Sequence, residues 1–202
     1  QNIQAGYANF IYNINPLWLV DIGMRAEIMN QTLEIRRSPE QRKLTDPFTK
    51  IDTTTIDYCP VVNIKYSNTE KSNFRLGVSK TINRPLFYEL GPFESKAQYG
   101  MPPTRGNINL KPATIYNCDL KYEIFPRFEE VFSIGMFGKI IENPIEQAFV
   151  VSSETVISWE NSKQATAAGI ELEFKKKFSS FTNNKVLANM FGGFNIEIGR
   201  AH

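Results

Sequence analysis

Strict alternation of apolar and polar residues over long runs most limits what this chain can fold into. From Trp18 to Ile28 every even-numbered residue is apolar, whereas the odd-numbered positions include Asp21, Arg25 and Glu27. Side chains of a β-strand point alternately to its two faces, so this run predicts a strand with one apolar and one charged face. It is much longer than the usual strand of ~5–6 residues in soluble proteins.

The same alternation occurs in eight runs, which together predict an all-β chain. The runs lie near residues 5–14, 17–36, 59–67, 73–83, 113–125, 130–141, 164–178 and 186–199. Short turns at 13–16, 67–72, 126–129 and 179–185 alternate with long segments at 38–58, 84–112 and 142–163. Tight turns at one rim and long loops at the other are typical of outer-membrane barrels. We therefore predict antiparallel, sequentially paired strands with all long loops at one end.

Aromatic residues beside the short turns point to a membrane interface. All of them fall on the apolar faces of their strands: Tyr12, Trp18, Tyr66, Phe74, Tyr122, Phe132, Phe174 and Phe178. Rings stacked at one end of the strands predict an interfacial girdle. The alternative is a soluble β-sandwich whose core these rings fill. Strand length, the sorting of the loops and the charged opposite face favour the membrane barrel.

The composition argues against several other classes. No apolar run reaches the roughly 18 residues of a transmembrane helix. A net charge of +2 over 202 residues gives no reason to expect nucleic-acid binding. Cys59 and Cys118 are expected in the third and fifth strands, ~10 Å apart at ~4.8 Å per strand step. A disulfide needs Cα atoms within roughly 7 Å, so both cysteines are predicted to be unpaired.

The sequence predicts neither catalysis nor a bound metal or cofactor. His202 is the only histidine, which leaves no partner for a zinc site or a catalytic triad. Glu171 and Glu173 lie two residues apart on one strand, where a solvated polar wall explains them better than acid–base catalysis does. Gly192 and Gly193 form no phosphate-binding motif. We therefore expect a protein that is not an enzyme.

Two proline-containing segments carry a resemblance to a known family. Residues 83–93 read NRPLFYELGPF, and residues 106–123 read GNINLKPATIYNCDLKYE. They resemble the barrel domain of TonB-dependent outer-membrane receptors, in the branch whose plug is preceded by a carboxypeptidase-regulatory-like domain. Ile108 stands where that family usually has proline. KIIENPIEQ at 139–147 and SWENSKQATAAGIELEFKKKF at 158–178 resemble the same family.

The resemblance implies that residues 1–202 are part of one β-barrel domain, without the plug domain. They would supply an antiparallel segment of about eight strands in a 22-stranded transmembrane barrel. The first and last strands are then expected to pair with strands outside residues 1–202. The implied location is the outer membrane of Gram-negative type. The implied partners are outer-membrane lipid, the plug domain, the remaining barrel strands, TonB through the plug, and a surface lipoprotein as a further candidate.

By the same resemblance, the protein imports a scarce nutrient that binds its outer loops. Siderophore, haem, oligosaccharide and peptide all stay open as ligands. One alternative is an outer-membrane barrel subunit with a structural or interaction role and no transport. Another is a soluble carbohydrate-binding β-sandwich.

Two sets of residues are candidates for the functional site. The predicted ligand contacts in the loops are Tyr88, Phe93, Tyr99, Arg105 and Trp159, because exposed aromatic and arginine side chains are frequent recognition groups. The alternative is that these side chains pack the loops together. The predicted lumen-facing residues are Asp21, Arg25, Glu27, Asn117, Asp119, Lys121, Glu171 and Glu173, for which simple solvation of a polar interior is the alternative. Arg84 and Glu89 are expected to pair within their loop.

Overall fold

The computed structural model describes residues 1–35, 49–95, 102–151, 155–178 and 190–202. These residues form strands with one short helix, α1 (Phe87–Leu90). The strands are β1 (Asn2–Asn15), β2 (Trp18–Ile35), β3 (Thr49–Thr69), β4 (Ser72–Asn83), β5 (Glu94–Ser95), β6 (Thr104–Arg105), β7 (Ala113–Ile124), β8 (Val131–Glu142), β9 (Ile145–Val151), β10 (Thr155–Asn161), β11 (Gln164–Lys177) and β12 (Phe191–Ala201). None of the described helices is long and apolar enough to cross a membrane.

Eight long strands form one antiparallel sheet in the order β1-β2-β3-β4-β7-β8-β11-β12. Each strand pairs with the next long strand along the chain, which confirms the predicted sequential topology. The sheet is open, and β1 and β12 are its two edges in the described part of the chain. Cys59 and Cys118 are both unpaired, as predicted.

The register gives the whole sheet two chemically distinct faces. Opposite partners are both even or both odd, as in Ile22 with Val62 and Asp119 with Gly77, except at bulges beside two turns. Side chains of opposite residues lie on the same side of a sheet. Even-numbered residues of all eight strands therefore form one face, here called the apolar face. Odd-numbered residues form the other, here called the polar face.

An aromatic row borders the apolar face beside the short turns. Ring centroids lie 4.5 Å apart for Trp18 and Tyr66, 6.5 Å for Tyr66 and Phe74, and 4.3 Å for Phe74 and Tyr122. The apolar run of β2 extends from this row to Ile28, which is about 33 Å along the strand at ~3.3 Å per residue. A tilt of ~40° reduces that to about 25 Å, the height of the apolar band of an outer-membrane barrel.

β3 begins at Thr49, inside the segment 38–58 that was predicted to be a loop. Its outer half, meaning the half far from the short turns, pairs with the outer half of β2. Polar residues occupy both faces there, so no alternation marks the strand in the sequence. Thr32 donates to Asp52 at 2.6 Å across the two strands, on what would otherwise be the apolar face. The predicted start of the last strand, at 186, lies outside the described residues.

The other two predicted long loops contain secondary structure of their own. Within 84–112 and 143–163, the described residues form α1 and a second, four-stranded sheet in the order β5-β6-β10-β9. We call this unit the cap. It lies at the ends of the strands opposite the short turns, because it follows β4 and β8 and precedes β7 and β11. All the long connections are therefore at one end of the main sheet.

Candidate functional site

The cap is organised around a small apolar core. Leu90, Leu110 and Trp159 pack together, and Trp159 keeps only 8% of its surface exposed. The ring of Tyr88 meets Trp159 edge-on, with 5.5 Å between the ring centroids. The backbone N–H of Leu86 donates to Glu89 Oε2 at 2.8 Å, so Glu89 caps the start of α1. Arg84 pairs instead with Glu27 and Asp57, so the predicted pairing of Arg84 with Glu89 is wrong.

Two asparagines fasten the two segments of the cap to each other. Asn107 Nδ2 donates to the carbonyl of Trp159 at 2.9 Å. Asn161 Oδ1 accepts from the N–H of Lys111 at 2.8 Å, and its Nδ2 donates to the carbonyls of Lys111 at 3.0 Å and Asn143 at 2.8 Å. Asn161 therefore provides hydrogen bonds to backbone groups of Lys111 and Asn143, which both lie outside the strands.

The two sequence motifs NRPLFYELGPF and GNINLKP, which flank the tip of the 84–112 segment, contact each other directly in the cap. The N–H of Gly106 donates to the carbonyl of Gly91 at 3.0 Å. A Cβ atom at Gly106 would lie 2.4 Å from that carbonyl oxygen, so a side chain cannot be accommodated there. NRPLFYELGPF and GNINLKP therefore read as the two halves of one packed structure.

The predicted ligand contacts occupy different places in the cap. Tyr88, Phe93 and Arg105 are exposed, and Arg105 forms an ion pair with Glu94. Trp159 is buried in the core of the cap. This agrees with the alternative that these side chains pack the loops together. Tyr99 lies outside the described residues. Ligand contact by any of these residues stays a prediction.

Arg105 also lines a hollow of about 220 Å³ in the cap. Its other walls include Pro92, Ile108, Val150, Val156 and Ser158. The hollow is therefore mainly apolar, and the guanidinium of Arg105 and the hydroxyl of Ser158 are polar groups in its walls. The sequence pattern did not point to this hollow, because its walls come from segments about 50 residues apart.

The structure places all eight predicted lumen-facing residues on the polar face. They are Asp21, Arg25, Glu27, Asn117, Asp119, Lys121, Glu171 and Glu173, each at an odd position of a long strand. Near the short turns several of them join a network of ion pairs. Arg75 Nε lies 2.6 Å from Glu123 Oε2, and Lys121 Nζ lies 3.3 Å from Glu173 Oε2. Arg75 was not among the predicted residues, although its odd position in β4 marks it.

A hollow of about 600 Å³ opens in the polar face around Gly77. Its charged walls are Asp21, Lys65, Arg75, Asp119 and Lys121. Asn63 Nδ2 donates to Asp21 Oδ2 at 3.3 Å, whereas Asp21 Oδ1 is buried without a hydrogen-bond partner in the described part of the chain. Such a hollow suits a polar group that carries its own hydrogen-bond donors. Among the described residues, no group of three or more His, Cys, Asp or Glu side chains could hold a metal ion.

A third cluster lies where the cap begins. Arg84 Nη1 donates to Glu27 Oε2 and Arg84 Nη2 donates to Asp57 Oδ2, both at 2.6 Å. Arg25 Nε also donates to Glu27, at 2.5 Å. Partial burial lowers the pKa of the Arg84 guanidinium, but its hydrogen bonds to the two carboxylates outweigh burial, so the net pKa is raised. Arg84 is therefore a permanent cation between two carboxylates.

Several solved structures of receptors and transporters superpose on this chain. The siderophore receptor PirA from Pseudomonas aeruginosa superposes with a TM-score of 0.65 at 16% identity, over 98% of this chain and 42% of PirA. The copper transporter OprC gives 0.71 at 11% identity, over 98% of this chain and 28% of OprC. The hemophore receptor HasR of Serratia marcescens gives 0.61 at 12% identity, over 98% and 40%. At these identities the likeness shows the fold.

The chain spans less than half the length of each of these three proteins. No curated protein matches the chain in sequence. A family model does match, and it covers residues 1–198 under the description "Outer membrane protein beta-barrel family". The amphipathic sheet, the aromatic row and the barrel fold of its structural relatives agree with that match. The chain belongs to the outer membrane protein beta-barrel family.

Proposed function

We propose that this chain forms part of the wall of a TonB-dependent transporter that imports a scarce nutrient across the outer membrane. The observation that carries the proposal is the two-faced sheet with a folded cap at one end. The apolar face meets lipid along its aromatic row, and the polar face lines a hydrated lumen. The structural relatives include a siderophore receptor, a hemophore receptor and a copper transporter, and these roles support transport.

Charge on the polar face favours a wide lumen over a small closed barrel. The interior of an eight-stranded barrel is nearly filled by side chains. Arg25, Glu27, Arg75, Lys121 and Glu173 would then need extensive pairing with one another in a dry interior. In the open sheet their side chains face solvent at least in part. A larger barrel with a plug domain inside it keeps such a wall hydrated.

The cap supplies the ligand-binding end in this proposal. Tyr88, Phe93 and Arg105 lie exposed on a unit whose core and asparagine bridges hold them in place. Binding groups on a supported loop are better oriented than groups on an unstructured one. Energy from TonB, delivered through the plug, would then move the ligand past the polar face into the periplasm.

An uptake experiment on the full-length protein tests this proposal. Cells would be supplied with single nutrients from four classes: ferric siderophores, haem, oligosaccharides and peptides. The proposal predicts one class whose uptake needs both this protein and TonB, and whose uptake falls when Phe93 and Arg105 are replaced by alanine. Correct insertion of every variant is checked by heat-modifiable migration on gels. If no class needs both proteins while the barrel inserts normally, the non-transporting structural role is the better account.

A further inference from the structure

Glu27 and Asp57 form a carboxylate pair that needs a cation between them. They are direct register partners in β2 and β3, so both side chains stand on the polar face beside each other. Like charges directly opposite on neighbouring strands repel each other. The side chains of Glu27 and Asp57 are only 14% and 19% exposed, so water screens this repulsion only in part. Arg84 offsets the repulsion by donating one hydrogen bond to each carboxylate, and Arg25 donates a further one to Glu27.

The backbone ladder between β3 and β4 stops just below this cluster. Its last pair towards the outer end is Val61 with Ser79. Beyond that pair, β3 continues outwards with β2 alone, and Lys80–Asn83 pair with β7 alone. Pro60 occupies the next position of β3 and has no N–H with which to extend a ladder. In the described part of the chain, no ladder joins β3 to β4 at the level of Asp57.

We propose that Arg84 is a latch that fastens the start of the cap to the outer halves of β2 and β3, through Glu27 and Asp57. Arg84 immediately follows β4, and Pro85 then turns the chain into the cap. Its two ion pairs connect the end of β4 to β2 and β3. They do so at a level where no backbone hydrogen bonds join β3 to β4 in the described part of the chain. Breaking the two ion pairs frees the cap to move relative to the β2–β3 hairpin and leaves Asp57 without its cation, whereas Glu27 keeps its bond to Arg25.

The latch goes beyond the proposed function, because it concerns how the cap is held rather than what is transported. Its test is a distance measured in the full-length protein in lipid vesicles, so a failure to find a nutrient would leave the result unaffected. One spin label is placed on the hairpin at Thr53→Cys, and a second on the cap at Val151→Cys. Both side chains are exposed, Val151 to 78%. Cys59 and Cys118 are replaced by alanine in all samples.

The parent protein should give one narrow distance distribution between the labels. Arg84→Gln should broaden it and shift it to longer distances, because glutamine is neutral and too short to bond both carboxylates. Asp57→Asn should act in the same direction to a smaller extent, since Arg84 keeps its bond to Glu27. The matched control is Arg75→Gln, which breaks a bond of the same 2.6 Å length within β4, the strand that Arg84 follows, at a level where the ladder is intact. It should leave the distribution unchanged.

A distribution in Arg84→Gln that superposes on the parent would overturn the latch. So would equal broadening in Arg75→Gln, because the effect would then reflect general loosening of the sheet. Should Arg84→Gln fail to insert, Asp57→Asn decides the question alone. A distribution in Asp57→Asn identical to that of the parent rejects the proposal, and a broadened one supports it.

Discussion

At the scale of single residues, neighbours in β7 show how the register separates two environments. Leu120 lies on the apolar face between Leu76 and Met136, its partners on either side. Asp119 lies on the polar face beside Gly77 and at the hollow there. The two positions are adjacent in sequence and share the same depth along the strand. Only the face of the sheet distinguishes them.

Leu120→Arg should destabilise the barrel by about 1–3 kcal/mol, because arginine on the lipid face costs about 2–4 kcal/mol at the midplane and less towards the aromatic row, which Tyr122 joins two residues away. Asp119→Arg should cost much less, since its side chain meets a hydrated wall. Urea titrations of folding into lipid vesicles measure both free energies. Equal losses at the two positions would contradict the assignment of the faces.

Asn161 offers a second residue-scale prediction, because one side chain serves three backbone groups. Asn161→Ala leaves the N–H and the carbonyl of Lys111 and the carbonyl of Asn143 without these partners. Each unsatisfied group costs roughly 1–3 kcal/mol when it stays buried. Amide hydrogen exchange across 104–111 and 155–161 should therefore accelerate while exchange in β7 and β11 stays slow. Asn109→Ala is the control, because that side chain is exposed and only its backbone N–H bonds to Asn107.

At the scale of elements, the sequence predicted those strands whose two faces differ chemically. β2, β7 and β11 alternate cleanly, so their extents and facing residues could be predicted. The outer half of β3 could not, because Lys50, Asp52 and Thr54 make its even face as polar as its odd face. The cap could not be predicted either. β6 has two residues, and it pairs with β10 some 50 positions later in the chain.

The candidate site was predictable to a similar degree, and for the same reason. The face of the sheet on which Asp119 or Glu171 lies depends only on whether its position in the strand is odd or even. The alternation in the sequence shows this directly. The partner of Arg84 depends on the register between β2, β3 and the end of β4. Pairing with nearby Glu89 was the local expectation, but the helix start uses that carboxylate. The register between strands distant in sequence therefore determines the ion-pair partners of Arg84, which the local sequence could not indicate.

β11 packs closely against its neighbours on the polar face at Gly169. A Cβ atom at Gly169 would lie 2.7 Å from the carbonyl oxygen of Ile198 and 2.5 Å from the ring of Phe137. Gly169→Ala should therefore push β11 away from β12 and destabilise the sheet by about 1–3 kcal/mol. Gly138→Ala is the matched control, since nothing lies within 4 Å of its would-be Cβ. Vesicle-folding titrations that show equal changes for both variants would refute the packing argument.

At the scale of the whole molecule, the open edges of the sheet require partners. Unpaired N–H and C=O groups at membrane depth cost several kcal/mol each, so β1 and β12 cannot stay unpaired in hydrocarbon. We expect strands outside residues 1–202 to cover both edges in the full-length protein. Amides on the outward side of β1 should then exchange as slowly as those that pair with β2. A direct β1–β12 ladder within one chain would instead make this a small closed barrel.

We propose that the even-numbered residues of the long strands face lipid and the odd-numbered residues face water inside the barrel. An electron paramagnetic resonance scan of β7 tests it most directly, with one spin label at a time at each position from Ile115 to Ile124 in the full-length protein. Collisions with lipid-soluble oxygen should peak at Tyr116, Cys118, Leu120 and Tyr122. Collisions with a water-soluble nickel complex should peak at Asn117, Asp119 and Lys121. A scan without this two-residue period, or with the two sets exchanged, would contradict the claim.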